Sequence, residues 1–307
     1  MVAKPDTRGR TAIHATDVGH DVPMSKATSY SDLLRLPSGP VDLGAIDTNA
    51  APGYDGDKRS GKADLRAIGE ELFDLQQRLF AGKADGGRAV LLVLQGMDTS
   101  GKGGTLKDTV GLVDPQGVKI TSFKAPTKEE LAHDFLWRIR HGVPGPGIIG
   151  VFDRSHYEDV LIARVRELAP HDEIERRYAA INDFEAELAE SGVTLLKCML
   201  HISPDEQKAR LLARLDDPTK YWKYNPGDLA ERARWGEYRA AYEIALERNN
   251  TEVAPWHVVP ADKKWYRNLA VGNLLLETLR RLDPHWPDAD FDVAAEKQRL
   301  LDEAPVS

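Results

Sequence analysis

From Lys62 onward the apolar residues Leu65, Ile68, Leu72, Leu75 and Leu79 recur at steps of three and four, which places them on one face of a helix. Short β-rich runs then alternate with helical patterns. The runs are "AVLLVLQ" (Ala89–Gln95), "VKITSFK" (Val118–Lys124), "GIIGVFD" (Gly147–Asp153), "VTLLKCMLHI" (Val193–Ile202) and "PWHVVPA" (Pro255–Ala261). Several are apolar without alternation, as strands covered on both faces must be. The pattern predicts a parallel sheet wrapped in helices. Residues 1–60 are rich in Gly, Pro, Ser, Thr and Asp, carry one apolar cluster, "SDLLRLP", and show no sustained period. They read as an extended or partly disordered arm. A main domain is predicted over 61–287, followed by a C-terminal helix or tail over 288–307.

Composition narrows the classes. With 41% hydrophobic and 29% charged residues the 307-residue chain is an ordinary globule. No apolar run reaches the roughly 20 residues of a membrane span, and the N-terminus has no apolar signal core. A cytoplasmic protein is expected. The single cysteine, Cys198, lies in an apolar run and reads as a buried thiol. The net charge of −8 argues against nucleic acid or an acidic membrane as partner, since both require a basic face. A local basic groove for a polyanion remains compatible with it.

The candidate chemistry begins where the first strand ends. "GMDTSGKGG" contains G-x-x-x-x-G-K, with Gly96, Gly101 and Lys102, but Gly103 stands where the common phosphate loop has Ser or Thr, and Gly104 follows it. A buried strand before the loop and a helical pattern after it supply the geometry in which backbone N–H groups and a helix N-terminus cradle phosphate. Asp153 ends the third run, where phosphate-loop enzymes place an acid that helps hold Mg²⁺. Asp98 lies inside the loop. Together they are candidate replacements for the missing hydroxyl, because Mg²⁺ needs only one or two carboxylates and keeps several waters. Arg154 is a candidate phosphoryl clamp or a structural ion pair; His156 reads as structural.

A third segment, "EQKARLLARLDDPTKYWKYNPGDL", occupies the position of a helical lid, about 204–235. Arg210 and Arg214 share a helix face, and Lys220 and Lys223 flank Tyr221 and Trp222. Four cations suit a ligand with many phosphates. Equally, Asp216 and Asp217 could neutralise half of them.

The loop, "FDRSHYEDVL", "RLDDPTKYWKYNPGDL" and "APWHVVPADKKWYRNLAVGNLLLETL" together resemble the family-2 polyphosphate kinases, from about Leu65 to Pro287. The resemblance implies a three-layer α/β/α P-loop kinase fold, with a five-stranded parallel sheet and a helical lid, assembled as a homodimer or homotetramer. It implies Mg²⁺-dependent transfer of the terminal phosphoryl of inorganic polyphosphate to adenine or guanine nucleotides. Carried over, Asp98, Lys102, Asp153 and Arg154 are the catalytic set, with Asp98 and Asp153 on the metal. Gly96, Gly101, Gly103, Gly104, Lys124, Arg138, Arg210, Arg214, Lys220 and Lys223 are phosphate-binding. "SHYEDVL" and "KAPTKEELAHDFLWR" are most similar to the branch accepting both AMP and ADP, although that branch usually has Asn at 153 and Asp at 103. An ATP-dependent nucleotide kinase of thymidylate-kinase type and a non-enzymatic nucleotide-binding protein are the competing readings.

Overall fold

The computed structural model of the chain describes residues 29–303, apart from the side chains of 84 and 85. Five strands, β1 (Ala89–Gln95), β2 (Val118–Ser122), β3 (Ile149–Asp153), β4 (Val193–His201) and β5 (Trp256–Pro260), form one sheet in the order β2-β3-β1-β4-β5. Every pairing is parallel. β1 takes the centre because it is apolar almost throughout, and all seven of its residues are buried. Burying each of its Val and Leu side chains contributes about 1.5–3 kcal/mol.

Along the chain the helices are α1 (Tyr30–Leu34), α2 (Lys58–Ala81), α3 (Lys102–Asp108), α4 (Trp137–Gly142), α5 (Ile162–Val165) and α6 (His171–Glu190), then α7 (Pro204–Leu215), α8 (Asp228–Ala233), α9 (Trp235–Arg248), α10 (Lys264–Leu282) and α11 (Val293–Asp302). Leu65, Leu72, Leu75 and Leu79 of α2 are buried, as their spacing predicts. The helix starts ahead of that apolar period because Asp57 and Ser60 form a capping box. α2, α3 and α10 pack together, and α6 and α9 are tied to β4 through Lys197. None of the described helices is long and apolar enough to cross a membrane.

Of the predicted arm, residues 1–28 lie outside the described residues. The rest of the arm expected to be extended or partly disordered, residues 29–57, is docked on the domain. Leu34, Leu36 and Leu43 are buried, Leu36 N donates to Trp256 O at 2.8 Å, and Arg35 bridges antiparallel to His257 of β5. The Glu277 carboxylate accepts from Tyr30 N at 2.8 Å and Ser31 N at 2.9 Å. The anchors are few and far apart and rely on backbone groups, so they leave no periodicity to read. At the other end, α11 buries none of its residues.

Candidate active site

The parallel order reverses direction at β1, with β3 on one side and β4 on the other, so the crevice of this open sheet lies beyond the carboxyl end of β1. The phosphate loop fills that position. Gly96 leaves β1 at φ 148°, where a Cβ would lie 2.5 Å from Leu200 O. Gly101 opens α3 at φ 106°, and a Cβ there would overlap the Arg267 guanidinium. Both positions demand glycine. Gly103 differs: a Cβ would meet nothing within 4 Å, so packing does not exclude the hydroxyl that the common motif carries.

Lys102 Nζ donates to Gly96 O at 2.8 Å, holding the ammonium over its own loop. Burial and the neighbouring Arg154 lower its pKa, partly offset by Glu158, Asp153 and Asp98. It shares a cavity of about 310 Å³ with Asp98, Arg154, Glu158 and Asp228. Arg154 has φ 65°, a left-handed conformation uncommon outside glycine, which turns the chain as it leaves β3. Burial works against its charge, but Glu158, Tyr242, Asp98 and Asp153 outweigh that and leave its pKa raised. Asp153 is half-buried at the strand end and acts on both cations without lining the cavity.

Polar atoms around the loop await partners. Asp98 Oδ2, Thr99 Oγ1, Ser100 Oγ and Thr105 Oγ1 are buried with no hydrogen-bond partner. A native interior rarely leaves such groups unpaired without a functional reason. Arg214 Nη1 stands 3.6 Å from Asp98 Oδ2 and 3.5 Å from Asp228 Oδ2. Among the described residues no three His, Cys, Asp or Glu side chains converge as a metal cage. A divalent ion here would rest on one or two carboxylates plus phosphate oxygens, the mode that suits Mg²⁺.

The remaining candidates divide. Arg210 is not a free lid cation. Its Nε donates to Glu206, Nη1 to Thr99 O at 2.8 Å and Ser100 O at 2.9 Å, and Nη2 to Ala261 O at 2.5 Å and Asp262 O at 3.1 Å. Every N–H of the guanidinium is engaged, so it braces the loop from below. Lys220 is paired with Asp217 at 2.6 Å. Lys223 lies over the exposed Trp222 ring, and Arg214 donates to Lys223 O. Arg138 bonds to Lys124 O and Asp159 and is buried, while Lys124 is exposed; neither lines the cavity. Arg210 thus has its donors satisfied within the protein, and Arg138 bonds to Lys124 O and Asp159 away from the cavity lining.

Residues not singled out in the sequence complete the site. Glu158, Asp228, Arg166 and Glu231 line the cavity, with Trp235, Tyr238 and Tyr242 of α9 as its aromatic wall. Tyr242 OH accepts from Gly96 N at 3.2 Å. Arg267, within the quoted closing motif, donates to Ser100 O at 3.0 Å; burial, then Arg210, lowers its pKa to about 10. Behind the β3 loop, Lys197 Nζ bonds to Glu185 Oε2 at 2.6 Å and Asn249 O at 2.7 Å, and Glu185 Oε1 accepts from Tyr157 OH at 2.7 Å. The fully buried cluster ties the segment after Arg154 to α6, β4 and α9.

Comparison with known proteins gives this geometry a family. The family model described as Polyphosphate kinase 2 matches residues 55–286. The chain is 44% identical over 261 residues to an AMP/ADP-polyphosphate phosphotransferase of Meiothermus ruber, spanning 85% of this chain and 96% of that protein. It is 41% identical to an ADP-polyphosphate phosphotransferase of Rhodopseudomonas palustris, over 85% and 92% of the two chains. The crystal structure of Polyphosphate Kinase 2 from Arthrobacter aurescens TC1 superposes with a TM-score of 0.87 at 56% identity, covering 90% of this chain and 98% of that one. A phosphate loop at the crevice of a five-stranded parallel sheet, matched along nearly its whole length by these proteins, makes the chain a member of the polyphosphate kinase 2 family.

Proposed function

We propose that the protein transfers the terminal phosphoryl group of inorganic polyphosphate to AMP and ADP, forming ADP and ATP and leaving polyphosphate one unit shorter. The observation that carries this is the cavity in which Lys102 and Arg154 face an aromatic wall, in a chain whose relatives are named for this transfer. Dual acceptance draws support from the Meiothermus ruber relative, named for both AMP and ADP.

The acceptor is a phosphate, already ionised at neutral pH, so it attacks in line without a general base. The obstacle is repulsion between two polyanions. Lys102 and the α3 N-terminus hold the phosphates at the transfer point, and Arg154 offsets the charge that spreads over the transferred group. Trp235, Tyr238 and Tyr242 offer flat surface to a nucleotide base and exclude water. Asp98, with its unpartnered buried oxygen, and Asp153 are the residues that would hold Mg²⁺. Bound there, Mg²⁺ would supply further positive charge to the phosphoryl oxygens. A homodimer or homotetramer is the assembly we assign, on the family resemblance.

The test is nucleotide chromatography after incubating purified protein with Mg²⁺, long-chain polyphosphate and one acceptor at a time, AMP, ADP, GMP or GDP. ATP formed from AMP through ADP is the expected result. Product from ADP alone would restrict the acceptor, with Asp153 the first residue to exchange for Asn. Turnover with ATP as donor but none with polyphosphate would mark an ordinary nucleotide kinase.

A further inference from the structure

Phosphoryl transfer as proposed makes no use of the charge buried between β4 and α6. Lys197 and Glu185 are both 0% exposed. The three N–H groups of the Lys197 ammonium are spent inside the protein, on Glu185 Oε2 at 2.6 Å, Asn249 O at 2.7 Å and Tyr157 OH at 2.8 Å. Glu185 Oε1 accepts from Tyr157 OH at 2.7 Å and lies 3.2 Å from His156 Nε2. Stability does not call for such a pair, because apolar side chains of similar volume in place of a buried ion pair are often neutral or stabilising. What singles it out is the chain it holds: His156 and Tyr157 are the second and third residues after Arg154.

We infer that Lys197 and Glu185 are positioning residues for phosphoryl transfer, anchoring the turn His156–Asp159 so that Arg154 is aimed at the transferred group. The inference rests on the proposed function. Arg154 needs such an anchor, because its φ of 65° is sparsely populated and persists only where the surroundings over-determine it. On one side β1 fixes the segment: Arg154 N donates to Leu94 O at 3.3 Å, and the Gln95 amide lies 3.1 Å from Ser155 Oγ. On the other side the hold is the buried cluster, through the Tyr157 hydroxyl and the His156 ring. Hydrogen bonds to a charge are directional and strong in a buried setting, so they fix the turn more sharply than apolar contacts would. The turn also carries Glu158, which lines the cavity and helps keep the Arg154 pKa raised. A slip of the turn would displace both charges together.

Glu185→Leu/Lys197→Met replaces the pair with apolar side chains of similar size and leaves Arg154 in place. Steady-state kinetics with long-chain polyphosphate and ADP, run beside thermal unfolding, read the result. Expected is a folded protein whose kcat is lowered about tenfold, since a misplacement of roughly 1 Å can cost as much as 10²-fold. Both KM values should stay within about twofold of the parent, the pattern of an interaction made only in the transition state. The same two substitutions added to Arg154→Ala give a reading that a merely structural role would not move: with the guanidinium gone there is nothing to aim, and no further fall in kcat is expected. A folded double variant with parental kcat, or a fall that persists in the Arg154→Ala background, overturns the positioning role alone. Tyr157→Phe keeps the ring and removes only the hydroxyl held by both charges, so it serves if the double variant does not fold. It should lower kcat at constant KM, again without effect on Arg154→Ala, and parental kcat in it overturns the inference. A parent inert with polyphosphate overturns the function itself.

Discussion

Arg210 and Arg267 both donate to the Ser100 carbonyl and lie buried beneath Gly101, so the phosphate loop rests on two guanidinium forks. Removing Arg210 takes the side-chain donor from the Thr99, Ala261 and Asp262 carbonyls at once, while Ser100 O keeps Arg267. Arg210→Ala should cost about 3 kcal/mol or more and lower Tm by roughly 6 °C, read by thermal unfolding. Arg210→Lys keeps the charge but not the fork, and should recover little of either stability or activity. Lys102→Ala is its counterpart. The ammonium is held at a depressed pKa by burial, so its loss relieves desolvation, while kcat should fall about 10²- to 10⁴-fold with Tm nearly unchanged. The sequence could show that Arg210 and Arg214 share a helix face, but not which of them turns inward. Glu158 and Asp228 were equally hidden, because a carboxylate in a polar segment looks solvated until the fold brings it to a cavity.

At the scale of elements, the strand expectations hold to within two residues at every end, and β1 is matched at both. Apolar runs without alternation can be satisfied only inside a sheet covered on both faces, which is why they were legible. Lys197 is the exception within such a run, a charge in the middle of a strand buried at every position but Thr194. Its partner Glu185 is twelve positions away on α6, a separation that no local period reports. Burial acts against both charges; their pairing leaves the Glu185 carboxyl lowered and the Lys197 ammonium lowered as well. Glu185→Gln should destabilise by about 3–5 kcal/mol through the uncompensated lysine. Glu185→Leu with Lys197→Met should cost clearly less than Glu185→Gln alone. Urea unfolding of the three proteins checks the order.

For the whole molecule, acidity enters through β5. Burial, with Arg281, Arg35 and Lys197 adding to it, lowers the His257 pKa from 6.5 to about 4. Between those values the unfolded chain binds a proton that the folded one refuses, so stability falls as pH drops from about 6.5 to 4 and is level below. The two-and-a-half-unit gap corresponds to at most about 3 kcal/mol. His257→Gln should flatten that part of the stability profile, measured by denaturant midpoints across pH. His257 is also where residues 29–57 are fastened, since Arg35 bridges to it and Ser31 Oγ lies 3.2 Å from its Nε2. That fastening orders events during synthesis. The segment leaves the ribosome before any strand of the sheet, yet the backbone edge it caps is the last strand to be made, more than two hundred residues later. Leu34, Leu36 and Leu43 must therefore wait, exposed, until translation of the domain is almost complete, and closing so long a loop makes their docking a late event in folding.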